Sequence, residues 1–354
     1  MRFMVFHLMQ APEWLSDAEV YRQETDLMVF AETLGFDAVW IAEHHFHQYC
    51  ISPDPLTLAT HVAARTSRIR IGTAANVVTL GHPLRVAEQA AMVDCLSGGR
   101  LDLGLAKGYG PREFAGYGVD LREASDRHRE AVEVILGAWT KENFTYHGKH
   151  YQVPYPVTLR PKPVQRPHPR AFIATSGTPD SLEFAARMGL SFYIPYRGRA
   201  HFQNIKNVYV KAARGAGKTQ DEIDRLLADA AVMQTSFIGQ TDEESYVKAK
   251  PGVNWMAKSV REVNTPEDLD RWPAELQQIL RGKIERPDRG YEDYDKYWKG
   301  FIYGGPDRGV ERVRHLQEAG FQNIIVGFSF GGLPYDDVRR SMRLFADKVM
   351  PKFK

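Results

Sequence analysis

The sequence predicts an α/β fold, a (β/α)8 TIM barrel, and three observations predict it. Short apolar runs typical of buried strands alternate with segments whose apolar residues recur at helical spacing. Eight such runs occur along 354 residues, a length within the range of barrels that carry insertions. No change in composition divides the chain, so we predict one domain, residues 1–354, closed into a barrel and not left as an open sheet.

The first half of the chain carries the clearest signals for strands and helices. Ser16 begins the first helix, and Glu19 completes a capping box, while Gly35 marks the end of that helix. Pro83 opens the helix after the third strand. The apolar side chains of residues 126–140 share one face, which predicts a helix after the fourth strand. The predicted strands of this half are residues 2–9, 36–42, 69–76 and 101–106.

Two irregular stretches interrupt the second half. Residues 143–169 are rich in proline and aromatic residues and predict an insertion with a small hairpin after strand 4. Residues 259–305 are charged and predict a second insertion after strand 7. Around them the alternation continues, with predicted strands at residues 170–175, 190–194, 230–238 and 323–328. In such a barrel the chemistry belongs to the loops that follow the strands.

Composition narrows the class of protein. The net charge of +2 is too small to favour nucleic acid as a partner. Cys50 and Cys95 lie outside any metal or redox motif, which favours a reducing compartment. The N-terminal residues lack the long apolar region of a signal peptide, and no stretch approaches the length of a membrane span. We therefore expect a cytoplasmic enzyme that binds neither nucleic acid nor membrane.

A histidine-rich loop follows the second strand, with His44, His45 and His47 directly after Glu43. No second HxH, HExxH or CxxC pattern exists, so we expect no metal. The histidines are then either ordinary polar loop residues or, for one of them, a general base at the rim, since imidazole titrates near neutral pH. The residues alone leave both interpretations open.

Small and hydroxyl residues follow strands three, four and five. The run 72–77 is suited to a planar ligand or equally to close packing of a helix on a strand. Lys107 lies in a glycine-rich run, 104–110, which lacks the ending of a P-loop. The run 175–179 joins hydroxyls, a glycine and a proline at a helix start, which indicates an anion site or a plain N-cap. Since Lys107 and this turn follow neighbouring strands, they could hold one phosphate together.

Taken together, these residues resemble the bacterial luciferase-like family of flavin-dependent monooxygenases, over most of the chain. The resemblance implies an oxidoreductase that receives reduced flavin mononucleotide (FMN) from a separate flavin reductase. It further implies oxygenation of an organic substrate with dioxygen through a peroxyflavin, by a homodimer. The motifs that carry it are GFDAVWIAEHHF at 35–46, the stretch 69–108, ATSGTPDSLEFAARMGL at 174–190 and SMRLFADKVMPKF at 341–353.

The same resemblance implies roles for individual residues. His44 would be the active-site histidine, and Glu43 would lie near the flavin ring. Ala74 and Ala75 would lie against the ring across a non-proline cis peptide bond. The residues implied to hold the phosphate are Lys107, Ser176, Gly177, Thr178 and Arg129, with Arg127 competing with Arg129 for the assignment.

Two positions depart from luciferase alpha chains. Ala106 stands where those chains have a reactive cysteine, and Lys107 stands where they have an arginine, so charge is kept but the bidentate fork is lost. Light emission is therefore not implied. The segment 259–305 resembles the mobile loop of the family, which closes over the flavin and excludes water.

Two other functions fit the same barrel. One is a deazaflavin-dependent dehydrogenase that transfers hydride, and the other is a flavin-binding protein without catalysis.

The sequence does not specify the substrate. Aromatic residues near the rim suggest an apolar or aromatic substrate, or equally ordinary packing. These residues are Phe46, Tyr109, Tyr193, Tyr196 and Trp255.

Overall fold

The computed structural model describes residues 1–195, 198–264 and 293–354, together with residues 270, 272, 274, 277 and 278. A strand is present in each region for which the sequence predicts one. In chain order the strands are β1 (Arg2–His7), β2 (Ala38–Ile41), β3 (Arg70–Thr73), β4 (Asn76–Val77), β5 (Leu101–Ala106), β6 (Phe144–His147), β7 (Gln152–Val157), β8 (Arg170–Ala174), β9 (Ser191–Pro195), β10 (Ala231–Ile238), β11 (Ile302–Gly304) and β12 (Asn323–Gly327).

Eight parallel strands close into a ring. The order around the barrel is β12, β1, β2, β3, β5, β8, β9 and β10, and β10 pairs in parallel with β12 to complete it. The short strands β4 and β11 pair with β5 and β10. The predicted (β/α)8 barrel is therefore confirmed, with the carboxyl ends of its strands at one mouth.

Helices cover the outside of the ring. They are α1 (Asp17–Thr33), α2 (Pro55–Arg65), α3 (Pro83–Leu96), α4 (Pro111–Gly116), α5 (Ala124–Thr140), α6 (Pro179–Met188), α7 (Arg199–Gly215), α8 (Gln220–Asp229), α9 (Asp242–Asn264), α10 (Tyr294–Gly300), α11 (Pro306–Glu318) and α12 (Tyr335–Leu344). Ser16 and Glu19 form the predicted capping box of α1. The sequence did not predict α4, α8 or α10.

The barrel interior is packed with apolar side chains, which favours the mouth of the barrel as the place for a ligand. Trp40 forms edge-to-face contacts with Phe172 and Tyr193, each with ring centroids 5.3 Å apart. Gly72 leaves room for this indole, because a Cβ there would lie 2.4 Å from Trp40 Cδ2. The close packing of Trp40 therefore requires a residue as small as glycine at position 72.

The two irregular stretches differ in how much of them is described. Within 143–169, β6 and β7 pair antiparallel outside the barrel sheet. Within 259–305, α9 runs on to Asn264 and α10 begins at Tyr294, and most of the intervening segment, expected to be a lid, lies outside the described residues. Among the helices that are described, none is both long and apolar enough to cross a membrane.

Candidate active site

His44 lies at the barrel mouth, in the loop after β2, and is held by a carboxylate. Its Nδ1 is 2.7 Å from Glu113 Oε1, and the side chains of His44 and Glu113 are 14% and 4% exposed. The same oxygen accepts the backbone N–H of His45 at 3.0 Å. A carboxylate only accepts hydrogen bonds, so Nδ1 carries the proton and Nε2 can accept one. This is the arrangement of an oriented general base.

Aromatic rings surround the outward nitrogen of His44. The Tyr109 hydroxyl lies 3.4 Å from Nε2. The rings of Tyr49 and Tyr109 meet the imidazole edge-on, with centroids at 5.2 and 5.4 Å. The reactive nitrogen thus faces an aromatic part of the rim.

Each histidine of the loop has a different carboxylate partner. His44 pairs with Glu113. His45 Nε2 lies 3.2 Å from Glu43, and its Nδ1 lies 3.2 Å from the Tyr117 hydroxyl. His47 Nε2 lies 3.7 Å from a carboxylate oxygen of Glu262 on α9. His44 combines a carboxylate at hydrogen-bond distance with a partly exposed side chain. His47 is also partly exposed, but its carboxylate partner is 3.7 Å away, and His45 is a buried packing residue.

The Glu43 side chain is 9% exposed and is hydrogen-bonded to the segment that follows β3. Its Oε2 accepts the backbone N–H of Val77 at 3.0 Å and the amide of Asn76 at 3.3 Å. Burial raises the pKa of Glu43 above its ordinary value, while hydrogen bonds from His45 and Val77 oppose that rise. The Ala74–Ala75 peptide bond just before this segment is cis. Glu43 thus anchors the backbone beyond Ala75.

The N-terminus of α6 lacks a side-chain cap, while in the turn before it the Gly177 N–H donates to Thr175 Oγ1 at 3.0 Å. Thr178 is the N-cap residue but makes no capping hydrogen bond, and its hydroxyl lies 3.0 Å from Ser181 Oγ instead. Gly177 has φ of +91°, and a Cβ there would lie 2.5 Å from Ile205 Cδ1. The plain N-cap that the sequence also allowed is therefore not the arrangement found. An uncapped helix N-terminus suits an anion.

Of the two competing arginines, only Arg129 reaches α6. Its guanidinium pairs with Asp180, in the first turn of that helix. Arg127 instead bonds Glu123 at 2.9 Å and lies over the ring of Tyr151. Lys107 is exposed just after β5, the neighbour of β8 in the sheet.

Two residues near these groups were not predicted from the sequence as site residues. Glu113 lies on the unpredicted helix α4, and only its place in a rim loop could have drawn attention to it. His128 on α5 is buried, and its pKa is lowered to about 4 by burial first and then by the positive charges of Lys107 and Arg129. Its only sequence signal is that it precedes Arg129.

The rim aromatics divide into two groups. Phe46 and Tyr109 are 57% and 36% exposed, whereas Tyr193 and Trp255 are buried. Tyr193 belongs to the barrel interior and Trp255 bonds Glu13, so these two are packing residues. Tyr196 lies outside the described residues.

Comparison with known proteins identifies the family. The profile of the family described as luciferase-like monooxygenase matches residues 1–323. The chain belongs to the luciferase-like monooxygenase family. The resemblance drawn from the sequence motifs is thereby confirmed, and the chain is an oxidoreductase.

Known monooxygenases align along the whole chain. The oxygenase component of the flavin-dependent trigonelline monooxygenase of Acinetobacter baylyi is 25% identical over 374 residues, covering 100% of this chain and 96% of that protein. The crystal structure of monooxygenase RslO1 from Streptomyces bottropensis has a TM-score of 0.85 at 28% identity, with 100% of both chains covered.

Other relatives have different cofactors in their names. The oxygenating constituent of 3,6-diketocamphane monooxygenase of Pseudomonas putida, solved in complex with FMN, has the same fold, with a TM-score of 0.79 at 21% identity and 100% and 99% coverage. The F420-dependent glucose-6-phosphate dehydrogenase of Amycolatopsis mediterranei is 26% identical over 350 residues, with 94% and 95% coverage. The relatives of this chain thus include both flavin-dependent monooxygenases and an F420-dependent enzyme.

Proposed function

We propose that this chain is the oxygenase of a two-component system. It takes reduced FMN from a separate flavin reductase and uses dioxygen to oxygenate a small organic substrate. One observation carries the proposal: the same rim presents a carboxylate-oriented histidine and an uncapped helix N-terminus with two basic side chains nearby. A flavin nucleotide needs such features at its two ends, chemistry at the ring and an anion site at the phosphate.

The residues before α6 fit the phosphate of that cofactor. The first N–H groups of α6 and the hydroxyls of Ser176 and Thr178 would donate to phosphate oxygens, and the helix dipole favours the negative charge. Gly177 lacks the Cβ that would collide with Ile205. Lys107 and Arg129 would balance the charge of the phosphate. FMN, which was solved bound to the diketocamphane enzyme, has this group at one end.

The residues around the cis peptide bond fit the flavin ring. Ala74 and Ala75 have side chains small enough for a planar ring to lie against their backbone. Glu43 would lie near the ring and hold the segment beyond Ala75 in place through Val77 and Asn76. The apolar interior of the barrel below them would keep water from that side.

His44 would act as acid and base at the reacting centre. When bound, reduced FMN supplies the electrons that activate dioxygen. Nε2 of His44 would accept a proton there and return it, and Glu113 would stabilise the imidazolium that forms. Tyr109, within 3.4 Å of Nε2, would line the substrate side.

A deazaflavin-dependent dehydrogenase is the second candidate. The relative from Amycolatopsis mediterranei favours it, and the same anion site and histidine would serve hydride transfer. A flavin-binding protein without catalysis has less support, because the chain keeps His44 together with its partner Glu113.

A stopped-flow experiment separates the two candidates. The protein is loaded anaerobically with reduced FMN and mixed with dioxygen, and absorbance and oxygen consumption are followed. The proposal expects a protein-bound flavin whose reoxidation spectrum differs from that of free flavin, and oxygen consumption coupled to substrate oxygenation. Tight binding of a reduced deazaflavin, with hydride transfer and no oxygen consumption, would instead establish the dehydrogenase.

We also propose that the protein works as a cytoplasmic homodimer. Exposed apolar side chains on and beside α3 support self-association. Met92 and Leu96 of α3 are 46% and 61% exposed, and Val164, whose backbone N–H donates to Asp94 of α3, is 53% exposed. Exposed apolar groups of this kind are typical of contact surfaces. Light scattering should give twice the mass of one chain, and a single-chain mass would contradict the proposal.

A further inference from the structure

His128 is a buried imidazole at the edge of the proposed phosphate site. It lies in the second turn of α5 with 7% of its surface exposed. Its ring meets Phe184 of α6 edge-on at 5.7 Å and hydrogen-bonds the Leu105 backbone carbonyl near the end of β5. Within the described part of the chain its Nε2 has no hydrogen-bond partner. A buried polar atom without a partner needs an explanation, and a bound ligand is one.

The hydrogen bond to Leu105 decides which nitrogen carries the proton. Because Nε2 is the atom without a partner, it is Nδ1 that meets the carbonyl, and a carbonyl requires a donor. In the neutral imidazole Nε2 is then a bare lone pair. Such an atom is satisfied either by accepting a hydrogen bond from a donor or by taking up a proton and donating to an acceptor, and a phosphate monoester can serve in both ways.

The charged groups around His128 come from three elements. Lys107 follows β5, Arg129 is the next residue on α5, and both lower the pKa of His128 after burial has done so, to about 4. Asp180 of α6 pairs with Arg129, and the remaining neighbour from α6 is the uncharged ring of Phe184. Without an anion His128 is therefore neutral at pH 7, beside two cations.

We propose that His128 is a phosphate-recognition residue, whose Nε2 shares a proton with a phosphate monoester bound between Lys107, Arg129 and the N-terminus of α6. This inference rests on the proposed function and adds a specificity determinant to it. A phosphate monoester loses its second proton near pH 6, so the free ligand is mainly a dianion at pH 7.5. Its charge outweighs the field of the two cations, and the complex takes up a proton from solvent.

The test is calorimetric titration of the protein with oxidised FMN at pH 7.5, in two buffers of different ionisation enthalpy and free of phosphate. We expect uptake of up to about one proton per bound FMN. Riboflavin, which has the same ring without the phosphate, should bind with none. On raising the pH from about 7 to 8, the Kd of FMN should increase by up to about tenfold, while that of riboflavin stays level.

The variant His128→Asn should abolish the proton uptake and flatten the pH dependence of the FMN Kd. His61→Asn, at an exposed histidine on α2, is the matched control and should behave as the unaltered protein. His201→Asn is the competing variant, because His201 Nε2 is also without a partner in the described chain and lies near Gly177.

Three results would overturn the proposal for His128. One is unchanged proton uptake in His128→Asn, and another is loss of the uptake in His201→Asn alone. The third is measured on the unaltered protein and is an equal proton uptake for the binding of FMN and of riboflavin. If FMN and riboflavin both fail to bind the unaltered protein, the proposed function itself fails, which is a different outcome from flavin binding without proton uptake.

Discussion

Glu113 Oε1 lies 2.7 Å from His44 Nδ1, although the two residues are 69 positions apart in the chain. The same oxygen accepts the backbone N–H of His45, while Oε2 is buried and has no hydrogen-bond partner in the described chain. Oε1 thus accepts both hydrogen bonds that the Glu113 carboxylate receives. An amide can therefore replace this carboxylate and keep both hydrogen bonds, so that the negative charge alone is removed.

The variant Glu113→Gln should lower kcat by about 10- to 100-fold, because the imidazolium formed at His44 loses its stabilising charge. The FMN Kd should change by less than about twofold, since the proposed phosphate site is formed by other residues of the rim. Rapid-reaction kinetics at several pH values measure the effect. Unchanged kcat across the pH range would show that Glu113 has only a packing role.

Replacing His44 itself should have a larger effect. His44→Ala removes the proton carrier, and kcat should fall by about 100-fold or more, with little change in FMN affinity. His61→Asn on α2 serves as the control for a histidine away from the mouth. Activity retained in His44→Ala would remove this residue from the mechanism.

The sequence was sufficient for features that depend on neighbours along the chain. The eight strands and the Ser16–Glu19 capping box follow from local periodicity and spacing. The position of His44 at the mouth follows from the fold, because every loop after a barrel strand lies there.

Contacts between residues that are distant in the sequence could not be predicted in the same way. Arg127 and Arg129 share one helix, and only the rotation of α5 against α6 decides which one reaches Asp180. The partner of His44 lies on α4, a helix of 6 residues that is too short to show a hydrophobic period. His128 is revealed only by its burial next to Lys107 and Arg129.

The two arginines form a matched pair for testing the anion site. Arg129→Ala should weaken FMN binding by about 5- to 100-fold, as expected for loss of a charge-assisted contact, and should leave riboflavin binding unchanged. Arg127→Ala should have little effect on either ligand, because Arg127 is directed toward Glu123. Fluorescence titration with both flavins measures this. Equal losses for FMN and riboflavin would place Arg129 outside the phosphate site.

Gly177 offers a test of the turn before α6. Its φ is +91°, a conformation that disfavours any side chain, and a Cβ would also meet Ile205 at 2.5 Å. Gly177→Ala should therefore weaken FMN binding and lower the free energy of unfolding by about 1–3 kcal/mol. Gly118→Ala is the control, since Gly118 has φ of +66° but no atom within 4 Å of its Cβ position. An equal loss of stability in both variants, with FMN binding kept, would argue against close packing at Gly177.

Glu43 should make stability depend on pH in a direction opposite to that of an exposed capping carboxylate. Burial raises its pKa from the ordinary 4.5, so the folded state favours the protonated form, and the stability gained is present below pH 4.5 and lost as pH rises through the raised pKa. The unfolding free energy of the unaltered protein relative to Glu43→Gln should therefore fall as the pH rises above 4.5. Glu19, whose pKa is lowered by hydrogen bonds from Ser16, provides the contrast, because its contribution is present above pH 4.5 and is lost as pH falls through the lowered pKa. Urea unfolding of the unaltered protein, Glu43→Gln and Glu19→Gln at pH values below and above 4.5 measures both slopes, and a pH-independent difference for Glu43→Gln would contradict the role of burial.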